Sequence, residues 1–445
     1  MLALLFCAAA LAFAAVAGHR SLVAGLGVVL GVGYVYGILR ANVAQPASHF
    51  VFDAAVLGLY ATQLFRADAV APSAARNRLR LWVLALTAWP IVLLAVPQQD
   101  PLVQVVGLRG HVFLLPFLLF GARLTDDRAY RLALVCAGLN VAAFALAAAE
   151  FHLGLEPFFP RNAVTDILYR SNDVAGYSAY RIPASFSSAH AYAGTMVATL
   201  PLLVGAWMQS GGRRRYHPLL AAAVALSALG VFMSATRSHT FVLMLLALVA
   251  MVSGRVRALT RAGWVVLLAG VAWFVSTDVR LQRITTLIDP DFLADRVGGS
   301  VNARFFELAV EYPLGNGLGG GGTSIPYFLQ SRLQDPVLME NEYARILLEQ
   351  GVPGVLLWAA FVVWVLTRRP SAGAGGWALG RRLAWYVAAT SFALALIGTG
   401  MLTSIPQTCL LLLGTGWMAT RPLLAWRRMP AADTAPAHPA ELARA

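Results

Sequence analysis

The sequence contains no lysine and little charge of any kind, since charged residues make up only 12% of its 445 positions. Soluble domains carry about 25% charged residues. With 59% hydrophobic residues and a mean hydropathy of +0.67, this chain is therefore not an ordinary soluble protein. Its net charge of +13 comes from arginines scattered between apolar runs. Because nucleic-acid-binding proteins concentrate basic residues on one face, we expect no nucleic acid partner.

Cysteine and histidine are also sparse. The three cysteines, Cys7, Cys136 and Cys409, all lie inside apolar runs and form no CxxC or Cys/His spacing. An odd number of cysteines at such positions supports neither a disulfide framework nor a zinc site. None of the eight histidines belongs to an HExxH motif, and there is no serine-hydrolase elbow. We therefore predict that the protein uses no metal ion and no other cofactor.

Long apolar runs recur along nearly the whole chain. Runs of roughly 17 to 20 residues are long enough to cross the hydrocarbon core of a bilayer as helices. The sequence therefore predicts an all-α, polytopic membrane helix bundle over residues 1–428, with about 12–13 transmembrane helices and the lipid bilayer as its surroundings. Residues 429–445, rich in alanine and proline, are predicted to be a disordered cytoplasmic tail. The predicted spans are 1–18, 21–39, 50–65, 81–97, 102–121, 131–150, 190–208, 218–236, 239–253, 263–277, 345–366, 383–400 and 403–419.

The arginine-rich loops predict the orientation of these spans. Arginine clusters recur after every second span, and short loops with such clusters face the cytoplasm. This topology places 22 of the 34 arginines, but only five of the 21 acidic residues, on the cytoplasmic side. Residues 15–17 (Ala-Val-Ala) resemble a signal-peptidase site. No basic segment precedes them, so we expect the first span to be retained.

Two long outer loops follow from this topology, at about 151–189 and 278–342. The second is the predicted catalytic loop, because it concentrates charged residues and glycines in an otherwise apolar chain. Within it, apolar residues between Val301 and Tyr312 share one helical face, which predicts a short amphipathic helix at the membrane interface.

A glycine-rich run follows, and its residues 315–320 (GNGLGG) fit the pattern GxGxxG. The run follows no predicted strand and lacks the Lys-Ser/Thr of a P-loop, so we expect no bound nucleotide. Gly315 and Gly317 are candidate substrate-binding positions, whose backbone N–H groups could approach a phosphate or a sugar. The alternative is a plain hinge.

Arginines at the outer boundary of the membrane are the next candidates. A charge buried near a span is costly unless it is paired or functional. On the predicted topology, Arg181, Arg237, Arg304 and Arg345 all lie at this boundary, where they could converge on one lipid-linked polyanion. Each of them alone also fits an arginine that anchors its helix by reaching the interface.

Charged residues also occur inside two predicted spans. Arg109 and His111 interrupt the span 102–121, and Asp53 lies in the span 50–65. Asp53 is a candidate buried partner for one of the arginines, or else a polar residue that helps helices to pack.

The last polar segment of the loop leads into residues 341–350, a predicted helix that the following Gly-Val-Pro ends. Glu342, Arg345 and Glu349 share one face of this helix, which predicts a charge stripe that is paired internally. Glu340 lies off that stripe, at the start of the helix. It is either a catalytic carboxylate or a residue that complements the helix dipole.

These segments, in this order, resemble the bacterial O-antigen ligase and Wzy-type polysaccharide polymerase superfamily, integral membrane glycosyltransferases of the GT-C type. The resemblance covers residues 105–360. It rests on Gly107-Leu108-Arg109, Arg181-x-x-Ala-Ser-Phe, Ser-x-x-Arg237-Ser, Arg304 followed by aromatic residues and Pro-Leu-Gly315-x-Gly317, and Glu340-Asn341-x-Tyr343 before Glu349-x-Gly-x-Pro-Gly.

The resemblance implies glycosyl transfer at the periplasmic face of the bacterial inner membrane. An acceptor sugar hydroxyl would attack the anomeric carbon of a glycan carried on undecaprenyl diphosphate, with Arg181 and Arg237 binding the diphosphate. The implied partners are this lipid-linked glycan, an acceptor glycan or lipid A-core, and a chain-length regulator protein. The further candidates for substrate binding are Arg304, Arg345, Arg109, Asn341, Tyr343, Gly315 and Gly317.

One position departs from the ligase pattern. In the ligases a loop histidine precedes Asn-x-Tyr, whereas this chain has Glu340 there. A carboxylate can also accept a hydroxyl proton, so we favour a polymerase of O-antigen, capsule or exopolysaccharide repeat units, with an O-antigen ligase as the alternative. A transporter or flippase for lipid-linked glycans is the alternative from another class; the inverted repeats that such proteins often show are not visible in this sequence.

Overall fold

A computed structural model of the protein describes residues 1–66, 73–96, 98–170, 180–209, 214–253, 305–322, 325–334, 341–370, 376–398 and 400–420, with a few single positions between 262 and 337. The predicted span 263–277 and the predicted tail 429–445 therefore lie outside the described residues or are described only at scattered positions. The same holds for most of the predicted loop before residue 305, including Arg304, and for Glu340.

Within these ranges the secondary structure is helical and includes no strand, which confirms the predicted all-α class. Short 3-10 helices occur at Pro46–Phe50, Arg214–Tyr216 and Tyr327–Arg332. The α-helices are α1 (Leu2–Arg20), α2 (Leu22–Asn42), α3 (Val51–Gln63), α4 (Ala74–Leu93), α5 (Pro101–Val112), α6 (Pro116–Ala122), α7 (Asp126–Leu153), α8 (Asp166–Arg170), α9 (Ala189–Gln209), α10 (His217–Met233), α11 (Arg237–Val252), α12 (Phe305–Glu311), α13 (Glu342–Leu366), α14 (Gly376–Leu394) and α15 (Gln407–Ala419).

Several of the described helices are long and apolar enough to cross a membrane, which is what a polytopic membrane protein requires. Other predicted spans correspond to shorter helices such as α3, α10 and α11. The predicted total of about 12–13 spans thus stays a prediction. The six helical stretches that meet the length and composition of a span are α1, α2, residues 101–122 (α5 with α6), α7, α9 and α13.

The ends of the helices pack in two groups that agree with the arginine pattern. At the basic end, Arg66 Nη1 donates to the His19 carbonyl at 3.0 Å, and Gln63 Nε2 donates to the Gly18 carbonyl at 2.6 Å. At the opposite end, the backbone N–H of Ile38 donates to the Ser185 carbonyl at 3.0 Å. Helix ends that the arginine pattern assigns to one side therefore contact one another.

A buried hydrogen-bond network joins four helices in the middle of the bundle. Tyr34 Oη donates to Asn140 Oδ1 at 2.5 Å, and Asn140 Nδ2 donates to Thr199 Oγ1 at 2.8 Å and to Ser227 Oγ at 2.7 Å. The four side chains come from α2, α7, α9 and α10. Polar side chains of this kind hold apolar helices in one register, because hydrocarbon offers no other partner.

Glycines allow some helices to approach one another closely. A Cβ at Gly416 of α15 would lie 1.9 Å from the Leu118 carbonyl oxygen of α6, and a Cβ at Gly121 would lie 2.0 Å from the Leu413 carbonyl oxygen. These backbones therefore touch, as is usual where helices pack in membranes through small residues.

We predict that Gly416→Ala lowers the thermal unfolding temperature of the detergent-solubilised protein, because the added methyl forces α6 and α15 apart. Overpacking of this kind costs about 1–3 kcal/mol. Gly414→Ala, on the same helix, is the matched control: no atom lies within 4 Å of its added Cβ. It should leave the unfolding temperature unchanged or raise it slightly, since alanine favours helix over glycine. Equal unfolding temperatures for both variants would contradict the proposed contact.

Candidate functional site

A network of buried charged side chains lies at the start of α13. Arg345 bonds to Glu342, through a short contact from Nη2 and one of 3.2 Å from Nε, and its Nη1 lies 3.5 Å from Glu349 Oε2. All three side chains are fully buried. The predicted internal pairing of Glu342, Arg345 and Glu349 is therefore confirmed, and the three side chains lie inside the protein.

His111 of α5 completes this network from a distant part of the sequence. Its Nε2 lies 2.7 Å from Glu349 Oε2, and Gln350 Nε2 lies 2.8 Å from its Nδ1. Arg345 Nη1 also lies 3.2 Å from His111 Nε2, so the imidazole lies between the arginine and the carboxylate. One arginine then faces two carboxylates, and the surrounding N–H donors offset the remaining negative charge.

The glycine-rich run packs against this network. The backbone N–H of Gly319 donates to Glu349 Oε2 at 3.0 Å, and the N–H of Asn316 donates to the Leu348 carbonyl at 2.6 Å. A Cβ at Gly321 would lie 2.9 Å from Glu349 Oε1. The run is thus a tightly packed segment that closes over a buried carboxylate, which differs from the predicted hinge.

Gly315 and Gly317 are needed for the path of this segment. Both are buried and have positive φ angles, +89° and +96°, which favour glycine. A Cβ at Gly315 would lie 2.9 Å from the Glu349 carbonyl oxygen, and one at Gly317 would lie 3.0 Å from Gln98. In this structure their surroundings are other parts of the protein, and the substrate-binding role stays a prediction.

The backbone of α13 bends where the glycine-rich run meets it. Gly351 has φ +69° and ψ −174°, which are not helical values. The helix was predicted to end here, but it is only kinked and continues to Leu366. The N–H of Val352 donates to the Pro313 carbonyl at 2.9 Å, and Trp89 Nε1 donates to the Gln350 carbonyl at 3.0 Å. These bonds satisfy backbone groups near the kink.

The first residues of α13 are also held by internal bonds. Asn341, fully buried, accepts the N–H of Ala344 on Oδ1 at 2.6 Å and so caps the helix. Glu342 Oε2 accepts the N–H of Gly400 at 2.9 Å. Tyr343 Oη donates to the Phe392 carbonyl at 3.0 Å. Asn341 and Tyr343, predicted to bind glycan, therefore make structural hydrogen bonds here, and Glu340 immediately precedes this anchored turn.

Arg109 is paired with Asp53. The sequence had offered this as one of two interpretations of Asp53, as a buried partner for an arginine. Arg109 Nε and Nη2 donate to the two carboxylate oxygens of Asp53, each at 2.7 Å. Such a bidentate pair neutralises the arginine and fixes its orientation. The Arg109 side chain is 29% exposed, against 9% for Asp53, so the pair is not completely enclosed.

A second basic side chain and a histidine lie close to this pair. Arg40 Nη2 lies 3.4 Å from His49 Nε2, and the Arg40 guanidinium stacks over Tyr36 at 5.0 Å. Burial, with Arg40 and Arg109 adding to it, lowers the pKa of His49 to about 3. His49 is thus neutral at physiological pH, and its Nε2 can accept a hydrogen bond from Arg40.

A polar cluster at the opposite end of the bundle from the basic loops brings Arg181 and the Arg237 turn together. Arg181 Nη1 lies 3.2 Å from His190 Nε2, and the His190 and His239 rings are 6.0 Å apart between centroids. Gln407 Nε2 lies 3.2 Å from His239 Nε2. Arg237 is the first residue of α11, two positions before His239. We call Arg181, His190, His239 and Gln407, together with the helix start that carries Arg237, the outer cluster.

The outer cluster includes residues that were not predicted from the sequence. The sequence gives a weak indication that His239 belongs to the site, because it follows Arg237 by two residues at the start of a helix. His190 and Gln407 stand at the starts of α9 and α15, and no local pattern distinguishes them. Their proximity depends on how α9, α11 and α15 pack.

The structure thus divides the predicted site residues. Arg181 lies in the outer cluster, Arg237 belongs to the helix start that carries His239, Arg345 is neutralised inside the protein, and Arg109 pairs with Asp53. Arg304 and Glu340 lie outside the described residues. Among the described residues, no three side chains of the metal-binding types lie close enough together to hold an ion.

Comparisons with known proteins add no identification. The chain matches no model of a known protein family. A search among curated proteins also finds no match.

We predict that Arg345→Met strongly destabilises the protein, because it leaves Glu342 and Glu349 as uncompensated buried charges. Removing one partner of a buried ion pair costs about 3–5 kcal/mol. Arg161→Met is the control, since Arg161 pairs with Glu156 on the surface, where both side chains are about 60% exposed, and such pairs contribute little. Thermal unfolding in detergent measures both variants; an Arg345→Met protein as stable as wild type would contradict the role of the network.

Proposed function

We propose that this protein is a membrane glycosyltransferase of the GT-C type that polymerises undecaprenyl-diphosphate-linked glycan repeat units at the periplasmic face of the bacterial inner membrane. The observation that supports this proposal is the outer cluster. Arg181 and Arg237 are 56 positions apart in the sequence, yet the segments that carry them meet through His190 and His239.

The chemistry of the outer cluster suits a diphosphate. Arginine forms paired, charge-assisted hydrogen bonds to phosphate oxygens. The helices α9 and α11 both begin at this cluster, and their first N–H groups carry partial positive charge. Both features favour an anionic group at the same end of the bundle, at the level where the diphosphate of a membrane-anchored lipid would lie.

The proposed reaction needs one nucleophile, one base and one leaving group. The acceptor hydroxyl oxygen forms a bond to the anomeric carbon of the donor glycan, and the bond from that carbon to the diphosphate oxygen breaks. The proton of the hydroxyl passes to a base, for which Glu340 is our candidate. The leaving group is undecaprenyl diphosphate, and Arg181 and Arg237 supply the countercharge for its departure.

In this proposal the buried network has a positioning role. It fixes the first turn of α13 against α5 and the glycine-rich run, and Glu340 directly precedes that turn. Catalytic groups need a rigid frame, since an error of about 1 Å in placement can cost about a hundredfold in rate. Arg345 therefore acts through α13 rather than on the diphosphate.

The ligase alternative places the same donor at the same cluster and differs in its acceptor. A ligase would pass the finished glycan to lipid A-core or another acceptor, whereas a polymerase extends one lipid-linked glycan with another. Glu340, where the ligases carry histidine, favours the polymerase.

We predict that Arg181→Ala, Arg237→Ala and Glu340→Ala each abolish long-chain glycan in a strain whose chromosomal copy is deleted. The first two remove the charge that binds the leaving group, and the third removes the base. Glycan length on a gel is the readout, and protein abundance in the membrane shows whether each variant inserts.

The control variant is Arg161→Ala, which removes an exposed arginine from the predicted outer loop 151–189 without touching the outer cluster. It should give glycan of wild-type length. A Glu340→Ala strain with wild-type polymer would exclude Glu340 as the base, and wild-type polymer from Arg181→Ala would remove the main support for the proposed site.

The glycans of the deletion strain separate polymerase from ligase. Loss of a polymerase should leave single repeat units, and this is the result we expect. Full-length polymer that stays on undecaprenyl diphosphate would instead identify a ligase, and unprocessed donor confined to the cytoplasmic leaflet would identify a flippase.

A further inference from the structure

A cavity of about 160 Å³ opens at the basic end of the bundle, away from the outer cluster. It lies between the C-terminal end of α3, the first turns of α4, and α6. Four arginine side chains line it, together with apolar residues of α6. These arginines are Arg66, Arg76, Arg80 and Arg123.

Contacts with the protein hold some of these arginines in place. Arg123 Nη1 donates to the Gln63 carbonyl at 2.7 Å, and its Nη2 donates to Gln63 Oε1 at 3.1 Å. Arg66 Nη1 donates to the His19 carbonyl at 3.0 Å. Arg76 is only 6% exposed. The guanidinium groups of Arg66 and Arg123 are therefore held in place before any ligand arrives, which lowers the entropic cost of binding.

Among the described residues that line the cavity, four are arginines and none is acidic. The sequence from residue 63 to residue 80 contains four arginines and a single acidic residue. Each arginine carries five N–H donors, so these side chains can bond to an anion in addition to their protein partners. Phosphate oxygens suit guanidinium groups best, because two N–H groups of one arginine can bond to them in parallel.

The surroundings of the cavity favour a phosphate that belongs to a lipid. Phe65, next to Arg66, is 92% exposed, and Leu81 and Leu84 of α4 are 65% and 64% exposed. Together they form an exposed apolar surface that starts near the arginines and extends along α4 toward the middle of the bundle. A free phosphate would use the arginines alone, whereas a phospholipid would also cover the apolar surface with its acyl chains.

We propose that this cavity binds the phosphate headgroup of an anionic phospholipid, with the acyl chains lying against α4. Basic pockets between transmembrane helices on the cytoplasmic side bind such headgroups in general. The proposed site is independent of the glycosyltransferase proposal, because it shares no residue with the outer cluster or with the buried network.

The test uses the full-length protein in a neutral detergent, titrated with phosphatidylglycerol and, separately, with phosphatidylcholine. Native mass spectrometry counts bound lipids, and thermal unfolding reports stabilisation. The wild type should bind phosphatidylglycerol in preference to phosphatidylcholine. The double variant Arg66→Gln/Arg80→Gln should lose about tenfold or more of its affinity for phosphatidylglycerol, since each arginine near a lipid headgroup contributes measurably. Both arginines are exposed, so the variant should fold.

The matched control is Arg131→Gln/Arg369→Gln, which removes the same charge from the same end of the protein but outside the cavity. It should bind phosphatidylglycerol like the wild type. Equal affinity in the Arg66/Arg80 variant and the wild type would overturn the proposal, as would an equal loss in the control, which would indicate non-specific surface charge. Competition by millimolar inorganic phosphate as effective as that by the lipid would assign the cavity to free phosphate instead.

Discussion

The buried pairing of Arg345 with Glu342 and Glu349 is the interaction on which the arrangement around the candidate site depends. Charges removed from water must find partners inside the protein, and the desolvation cost is recovered only if the hydrogen bonds are complete. Glu342 accepts a hydrogen bond from the backbone N–H of Gly400. Glu349 accepts one from the backbone N–H of Gly319 and contacts the His111 ring. The need to satisfy two carboxylates therefore brings together α5, α13, the glycine-rich run and the turn before α15.

This constraint also changes how the glycine-rich run is understood. A run of glycines in an outer loop suggests mobility or a phosphate-binding backbone. Here the packing of helices against the run leaves no room for side chains. A Cβ at Gly107 of α5 would lie 2.2 Å from the Gly319 backbone nitrogen. In the function that we propose, Arg181 and Arg237 bind the substrate, while the glycines and Arg345 support the start of α13.

The predictions from the sequence held best where a property depends on neighbours along the chain. Apolar runs predicted helices such as α2, α7 and α9, and the i, i+3 and i+7 spacing predicted the pairing of Glu342, Arg345 and Glu349. They were weaker where a partner lies far away in the sequence. His111 is 238 positions from Glu349, and no local pattern indicates that the two side chains meet. Likewise, helical spacing does not show which face is buried, so the full burial of Arg345 does not follow from the sequence pattern.

The sequence by itself determined the helical class, the membrane surroundings that its apolar helices imply, and the residue types available for chemistry. Composition and periodicity act locally, so these properties need no knowledge of packing. Only the tertiary structure decided which charged groups are neutralised inside and which share a cluster. Arg345 and Arg181 are the same residue type near similar boundaries, yet one is enclosed by two carboxylates and the other faces a histidine at the end of the bundle. That difference arises from contacts between distant segments, which the order of residues alone does not specify.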